Sequence, residues 1–210
     1  MASDIDEQLE SLKGDPLIAA ALLRLRSELP GDLKYHVASH TDDVLREVVL
    51  FATHDGLDAR PRHLLAIAAA YHDLGFVKQR SNNEEVGAQM AAEAMHAAGG
   101  FRASEIELVH GMILDTQVRF TEKGPQQVPA SELSKYLLDA DVSNLGREDF
   151  FDKAELVRQE VQFENKEDFM RGLVKFMEAH TWYTPAAKAL RDQKKRENQA
   201  KLEAMVRTFP

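Results

Sequence analysis

Tyr71-His72-Asp73-Leu74-Gly75 closes a stretch that is apolar nearly all round from Leu64 to Ala70. A histidine and a carboxylate at the end of a buried helix are costly unless both are paired or coordinated. The last helical turn also carries the negative end of the macrodipole, which favours a cation. Adjacent residues on a helix point about 100° apart, so an ion held by both must lie near the helix end. Alone, the pair fits a capping histidine and a surface aspartate equally well. Upstream, Tyr35-His36-Val37-Ala38-Ser39-His40 places His36 and His40 four residues apart. They share one face if the helix reaches back that far. Such a pair can bind a metal together, or one can bind while the other handles protons. Downstream, Leu137-Leu138-Asp139-Ala140-Asp141-Val142 sets a carboxylate in an apolar helix, where it needs a cation or hydrogen-bond donors.

Helices must position these groups. Punctuation by Pro, Gly and capping residues divides the chain into about nine or ten helical segments. Asp15-Pro16 reads as an N-cap followed by Pro at the first helical position, opening a helix to about Leu29. Pro30-Gly31-Asp32 breaks it. Ser39 or Thr41 can cap the next helix, whose stripe is Val44, Leu45, Val48, Val49 and Ala52. It ends at Asp55-Gly56. Pro61 opens the central, buried helix, which runs to about Leu74 with Gly75 as its C-terminal cap. Further helices are expected at 84–98, 104–116, 131–143, 147–164, 166–180 and 185–207. Thr121 to Pro129 reads as a surface loop. No segment alternates with period two, so no significant sheet is expected. The expectation is an all-α fold: a helical extension over 1–32 and one domain over 33–210 that includes a basic C-terminal helix.

Composition bounds the function. The chain has 210 residues, 44% hydrophobic and 29% charged, with 11 Gly, 7 Pro and no Cys. That suits one helical domain with a real core. Without Cys there are no disulfides, thiolate ligands or thiol nucleophile. No apolar run approaches the roughly 20 residues that span a bilayer, and the acidic N-terminus lacks a signal-peptide core. The expectation is a cytoplasmic protein without membrane contact. A net charge of −9 argues against binding a nucleic acid polymer. It does not exclude a small anion, because a metal ion and local basic groups can override the global field. Lys188, Arg191, Lys194, Lys195, Arg196 and Lys201 in the last helix fit a solvated face better than a binding surface. That amphipathic helix could pack on its own core or on a second copy of the chain.

The order of His40, His72-Asp73 and Asp141 resembles the HD superfamily of metal-dependent phosphohydrolases, which is an all-α fold. The similarity extends over about 33–205, through AAAYHDLGF around His72, LLDADVSNLGREDF around Asp141, Asn83 to Ala88, Ile113-Leu114-Asp115-Thr116 and His180-Thr181-Trp182-Tyr183-Thr184. The resemblance implies His40, His72, Asp73 and Asp141 as ligands of one divalent ion: Mn, Zn, Fe, Ni, Co or Mg. His36 matches a Tyr-His position that acts as general acid in related phosphodiesterases, although Val37 replaces the Asn that follows there. Packing beside the site without proton transfer is the equal alternative for His36. HD proteins with two metals carry two further histidines, and this chain has Asn83 and Thr116 at the matching positions. His96 reads as exposed and His110 as a core-edge residue rather than ligands. His54 and His63 read as surface residues.

The implied activity is hydrolysis of a phosphate ester or anhydride in a nucleotide or other small phosphorylated metabolite. Asp73 would ligate and accept a proton, and His36 would protonate the leaving oxygen. Lys78, Arg80 and Arg147 could meet phosphate oxygens, or be ordinary exposed cations. Glu84 could serve the site or be a plain helix-start acid. Trp182 and Tyr183 could stack on a base but fit packing better. Two alternatives stand beside the enzyme: a nucleotide-binding regulatory module without turnover, and a di-iron oxygenase on the same fold.

Overall fold

A computed structural model describes residues 2–122 and 124–209. Ten helices occupy most of these residues: α1 (Ala2–Lys13), α2 (Pro16–Glu28), α3 (Ala38–His54), α4 (Ala59–Tyr71), α5 (Asn83–Ala98), α6 (Ala103–Asp115), α7 (Ser134–Asp141), α8 (Phe150–Glu160), α9 (Lys166–Ala179) and α10 (Pro185–Arg207). Short 3-10 turns follow α4 (Leu74–Val77) and α7 (Ser143–Gly146). A small hairpin, β1 (Arg119–Thr121) with β2 (Gly124–Gln126), pairs antiparallel with Phe120 opposite Pro125. No described helix is long and apolar enough to cross a membrane.

The central helix is α4, as its all-round apolar surface requires. Every residue from Leu64 to Tyr71 is buried. Its alanines let α3, α5, α6 and α7 approach closely, while Leu65 and Ile67 each gain about 2 kcal/mol from burial. The stripe Val44, Leu45, Val48, Val49 and Ala52 of α3 faces this core. The segment expected as an extension contributes α1 and α2, and Ile5, Leu9, Ile18, Leu22 and Leu25 join the same core. The sequence reading assigned no helix to α1, although Ile5, Leu9 and Leu12 repeat at helical spacing. A second cluster gathers Leu145, Phe150, Met170, Met177 and Leu202 from α8, α9, α10 and the turn after α7. Trp182 packs against both clusters.

Three local expectations change. First, α3 starts at Ala38 after an extended Val37, with no side-chain cap. His36 therefore precedes the helix, and the shared helix face expected for His36 and His40 does not form. Second, Gly75 does not cap α4. It lies in the 3-10 turn, pressed against the first residue of α5: a Cβ there would sit 1.8 Å from the Asn83 carbonyl oxygen. Third, the basic run of α10 is only partly a solvated face. Arg191 pairs with Glu47 at 2.6 Å, and the buried Lys195 ammonium donates to the His180 carbonyl at 2.6 Å. Lys188, Arg196 and Lys201 remain exposed.

Candidate metal centre

Three helix ends converge. His40 lies in the first turn of α3, His72 and Asp73 follow α4, and Asp141 ends α7. The Nε2 atom of His40 is 3.4 Å from that of His72 and 3.5 Å from Asp73 Oδ2. Asp141 Oδ1 is 3.1 Å from His40 Nε2 and 3.6 Å from His72 Nε2. His72 Nε2 and Asp73 Oδ2 are 3.2 Å apart. Ligand atoms about 2.1 Å from one ion stand about 3.0–3.4 Å from each other in cis-octahedral or tetrahedral geometry, so this spacing fits a shared cation. Asp73 Oδ2 is buried without a hydrogen-bond partner. His40, His72 and Asp73 are all buried, and this group could hold a metal ion.

The local chain prepares these atoms. His72 Nδ1 donates to the Ala69 carbonyl at 2.7 Å, one helical turn back, which leaves Nε2 with a lone pair for a cation. Gln127 Nε2 donates to Asp141 Oδ2 at 2.6 Å and to the Thr116 carbonyl at 2.7 Å, aiming the other Asp141 oxygen at the imidazoles. Burial opposes charge on the Asp141 carboxyl, yet hydrogen bonds from His40 and His72 hold it well below the usual carboxylate range. Burial likewise opposes a proton on His72, yet Asp73 and Asp141 hold its pKa well above the ordinary value. Without an ion, protons supply the positive charge this cluster demands. A cation held there would take their place and release them.

His36 stands beside this cluster. Its ring stacks on Phe76 with centroids 4.8 Å apart and meets the His40 ring edge-on at 5.8 Å. Its Nδ1 is bonded to Glu160 Oε1. The other Glu160 oxygen accepts from the backbone N–H groups of Lys34, Tyr35 and His36 at 2.8, 2.7 and 3.1 Å. Burial lowers the His36 pKa, but Asp73 and then Glu160 outweigh it and raise the net value. In return His36 keeps the half-buried Glu160 carboxyl down at about 2, against the pull of burial.

His36, Asp73 and Asp141 open onto a cavity of about 680 Å³, which Leu145 and Phe150 of the second hydrophobic cluster also line. Asn83, Glu84 and Thr116 line it too. Asn83 and Thr116, the positions matched to further ligands by the resemblance, thus line the same cavity. Thr116 Oγ1 is spent on the Ile113 carbonyl at 2.7 Å, while Asn83 Oδ1 is buried without a partner. His96 is exposed and His110 half-buried, and neither lines the cavity. His54 is exposed, whereas His63 is half-buried against Asp15 at 3.0 Å.

The three cations singled out in the sequence stand outside the cavity lining. Lys78 is exposed. Arg80 is exposed and pairs with Asp32 at 2.7 Å. Arg147 lies behind the His40–Asp141 pair, bound to Asp43 at 3.1 Å and Asp149 at 2.6 Å. Trp182 packs in the core, and Tyr183 donates its hydroxyl to the Gln127 carbonyl at 2.6 Å. Two residues of the site escaped sequence reading. Gln127 sits in a segment that reads as a surface loop. Glu160 is 124 residues from His36, and no local pattern links them.

No family model matches the chain, and no curated protein does. A solved structure does match. It is a structural-genomics crystal structure of a protein from Lactobacillus plantarum, with a TM-score of 0.63 and 16% identity over 91% of this chain and 95% of that one. At that identity the likeness establishes a shared fold. The chemistry must be argued from the side chains.

Proposed function

We propose that the protein is a metal-dependent phosphohydrolase, with one divalent ion held by His40, His72, Asp73 and Asp141. The observation that carries this reading is the convergence of two imidazole nitrogens and two carboxylate oxygens, 3.1–3.6 Å apart, next to a large cavity that Asp73 and Asp141 line. The resemblance of His40, His72-Asp73 and Asp141 to the HD superfamily supports it. Bound there, a divalent ion would polarise a phosphoryl oxygen and make water more acidic.

The chain's own residues would do the rest. Asp73 would take a proton from the attacking water. His36, its Nδ1 engaged by Glu160, would give the leaving oxygen a proton from Nε2 as the phosphorus–oxygen bond breaks. Asn83, Gln117 and Asn144 line the cavity with neutral amides that can donate to phosphoryl oxygens. Lys78 and Arg80 stand away from this chamber, so phosphate contacts fall to these amides. Glu84, which lines the cavity, stays a candidate for substrate contact.

The test is metal content by mass spectrometry, beside a panel of phosphate esters with added Mn, Ni or Co. About one ion per chain is expected, lost in a His72→Ala, Asp73→Ala variant. His36→Ala should keep the ion and lose about 10²–10⁴-fold in turnover. No metal after reconstitution would sink the proposal. A second reading is a regulatory module, and the same cavity supports it. Tight ligand binding with intact metal and no turnover would select that reading.

A further inference from the structure

The lining of the cavity divides by element. Most of the polar lining, His36, Asp73 and Asp141 included, comes from outside α8 and α9. Those two helices and the loop between them contribute Val157, Phe163, Phe169, Leu173 and Phe176. Among the described residues, no lysine or arginine lines the chamber, whereas Glu84 and Asp168 add negative charge to it. Nearby cations are committed elsewhere: Arg147 and Lys153 to Asp43, and Arg80 to Asp32.

We infer that the preferred substrate is a phosphate monoester of an apolar alcohol, with one anionic headgroup on a hydrocarbon or aromatic body. The inference rests on the phosphohydrolase reading and names its substrate class. One ion and the amides of Asn83, Gln117 and Asn144 can engage one phosphoryl group. A nucleoside diphosphate or triphosphate would bring further negative charges into a chamber whose other charged lining is acidic. Buried charge without a partner is strongly unfavourable. A nucleobase edge also needs donors and acceptors, which Val157, Phe163, Phe169, Leu173 and Phe176 do not offer, and the lining's amides are already assigned to the phosphate. An apolar body meets those side chains with no such penalty. A cavity of about 680 Å³ lies within the range that small-molecule sites occupy.

Gly172 supplies a probe of this chamber. It lies within α9 and lines the cavity, and a Cβ added there meets nothing within 4 Å. Gly172→Leu therefore fills open space and favours the helix. The experiment is calorimetric binding of ethyl-, butyl-, hexyl- and octylphosphonate, AMP and ATP to the metal-loaded protein, with turnover of octyl phosphate and AMP measured alongside. Affinity should rise about two- to fourfold per added CH₂. Octylphosphonate should bind more tightly than AMP or ATP. Gly172→Leu should cut the octyl-to-ethyl affinity ratio at least tenfold at equal metal content. Flat chain-length dependence, or tighter nucleotide binding, would overturn the inference, and nucleotide turnover in that case would leave the hydrolase standing. Chain-length-dependent binding without turnover of either ester would sink the hydrolase and leave the ligand class intact.

Discussion

At the scale of single residues, the site depends on groups that never touch the ion position. Glu160 holds His36 by its ring and by the backbone beneath it. Its negative charge helps keep a proton on the imidazole. Glu160→Gln preserves the size and removes the charge. The His36 pKa should then fall, so turnover drops about tenfold and the alkaline limb of the rate profile moves to lower pH. Metal content should not change. A variant with an unmoved pH profile would mean that Glu160 serves only the loop. Gln127 acts on Asp141 in a comparable way, pinning Oδ2 so that Oδ1 faces the histidines. Gln127→Ala should weaken metal affinity about 10–100-fold, measured by competition with a chelating dye.

At the scale of elements, the close meeting of α4 and α5 sets the position of Asp73. Gly75 and Gly87 make it possible. A Cβ on Gly75 would lie 1.8 Å from the Asn83 carbonyl oxygen, and one on Gly87 would lie 2.6 Å from that of Tyr71. Both obstacles are backbone, so neither can swing aside. Gly75→Ala should destabilise the protein by about 2–4 kcal/mol, because the α5 start must move. Thermal unfolding measures the loss, and metal titration should show weaker binding as Asp73 shifts with the turn. The short α7 carries two aspartates with different duties. Asp141 joins the histidines, while the fully buried Asp139 accepts from the Tyr183 and Thr184 backbone N–H groups and from the Thr184 hydroxyl. Asp139 thereby anchors the start of α10.

At the scale of the whole molecule, the two hydrophobic clusters are joined through Trp182, whose ring meets that of His180 edge-on. Both ring nitrogens of His180 are buried without partners. Burial, and then Lys195, push its pKa down to about 3. The unfolded chain, with an ordinary histidine near 6.5, binds that proton first as pH falls. Stability from His180 is thus complete above about pH 6.5 and is lost as pH falls toward 3. Asp139 acts with the opposite sign: burial raises its pKa to about 6, so the folded state takes up that proton first and gains stability on acidification below 6. The two partly offset each other, and a variant separates them. The melting temperature of His180→Phe should fall less between pH 6.5 and 4 than that of the unaltered protein. Equal slopes would remove His180 from the account.

The amino-acid sequence alone determined the helices from α2 onward and the buried α4, because apolar spacing and Pro, Gly and capping residues act locally. It also marked His72, Asp73 and Asp141, because polar ligand types in apolar helices have few inexpensive fates, while the set with His40 came from the HD-type resemblance. Their convergence was decided by tertiary structure, through the packing of α3, α4 and α7. So were the roles of Gly75, Gln127 and Glu160. A glycine reads the same whether it caps a helix or admits a neighbouring backbone, and a glutamine in a polar loop carries no sign of burial. Glu160 and His36 meet across 124 residues of chain, and only packing brings them together. The cation-free lining among the described residues is likewise a property of assembled faces from α8, α9 and the turns after α4 and α7. Periodicity marks a face as apolar but does not say whether it covers a core or a ligand.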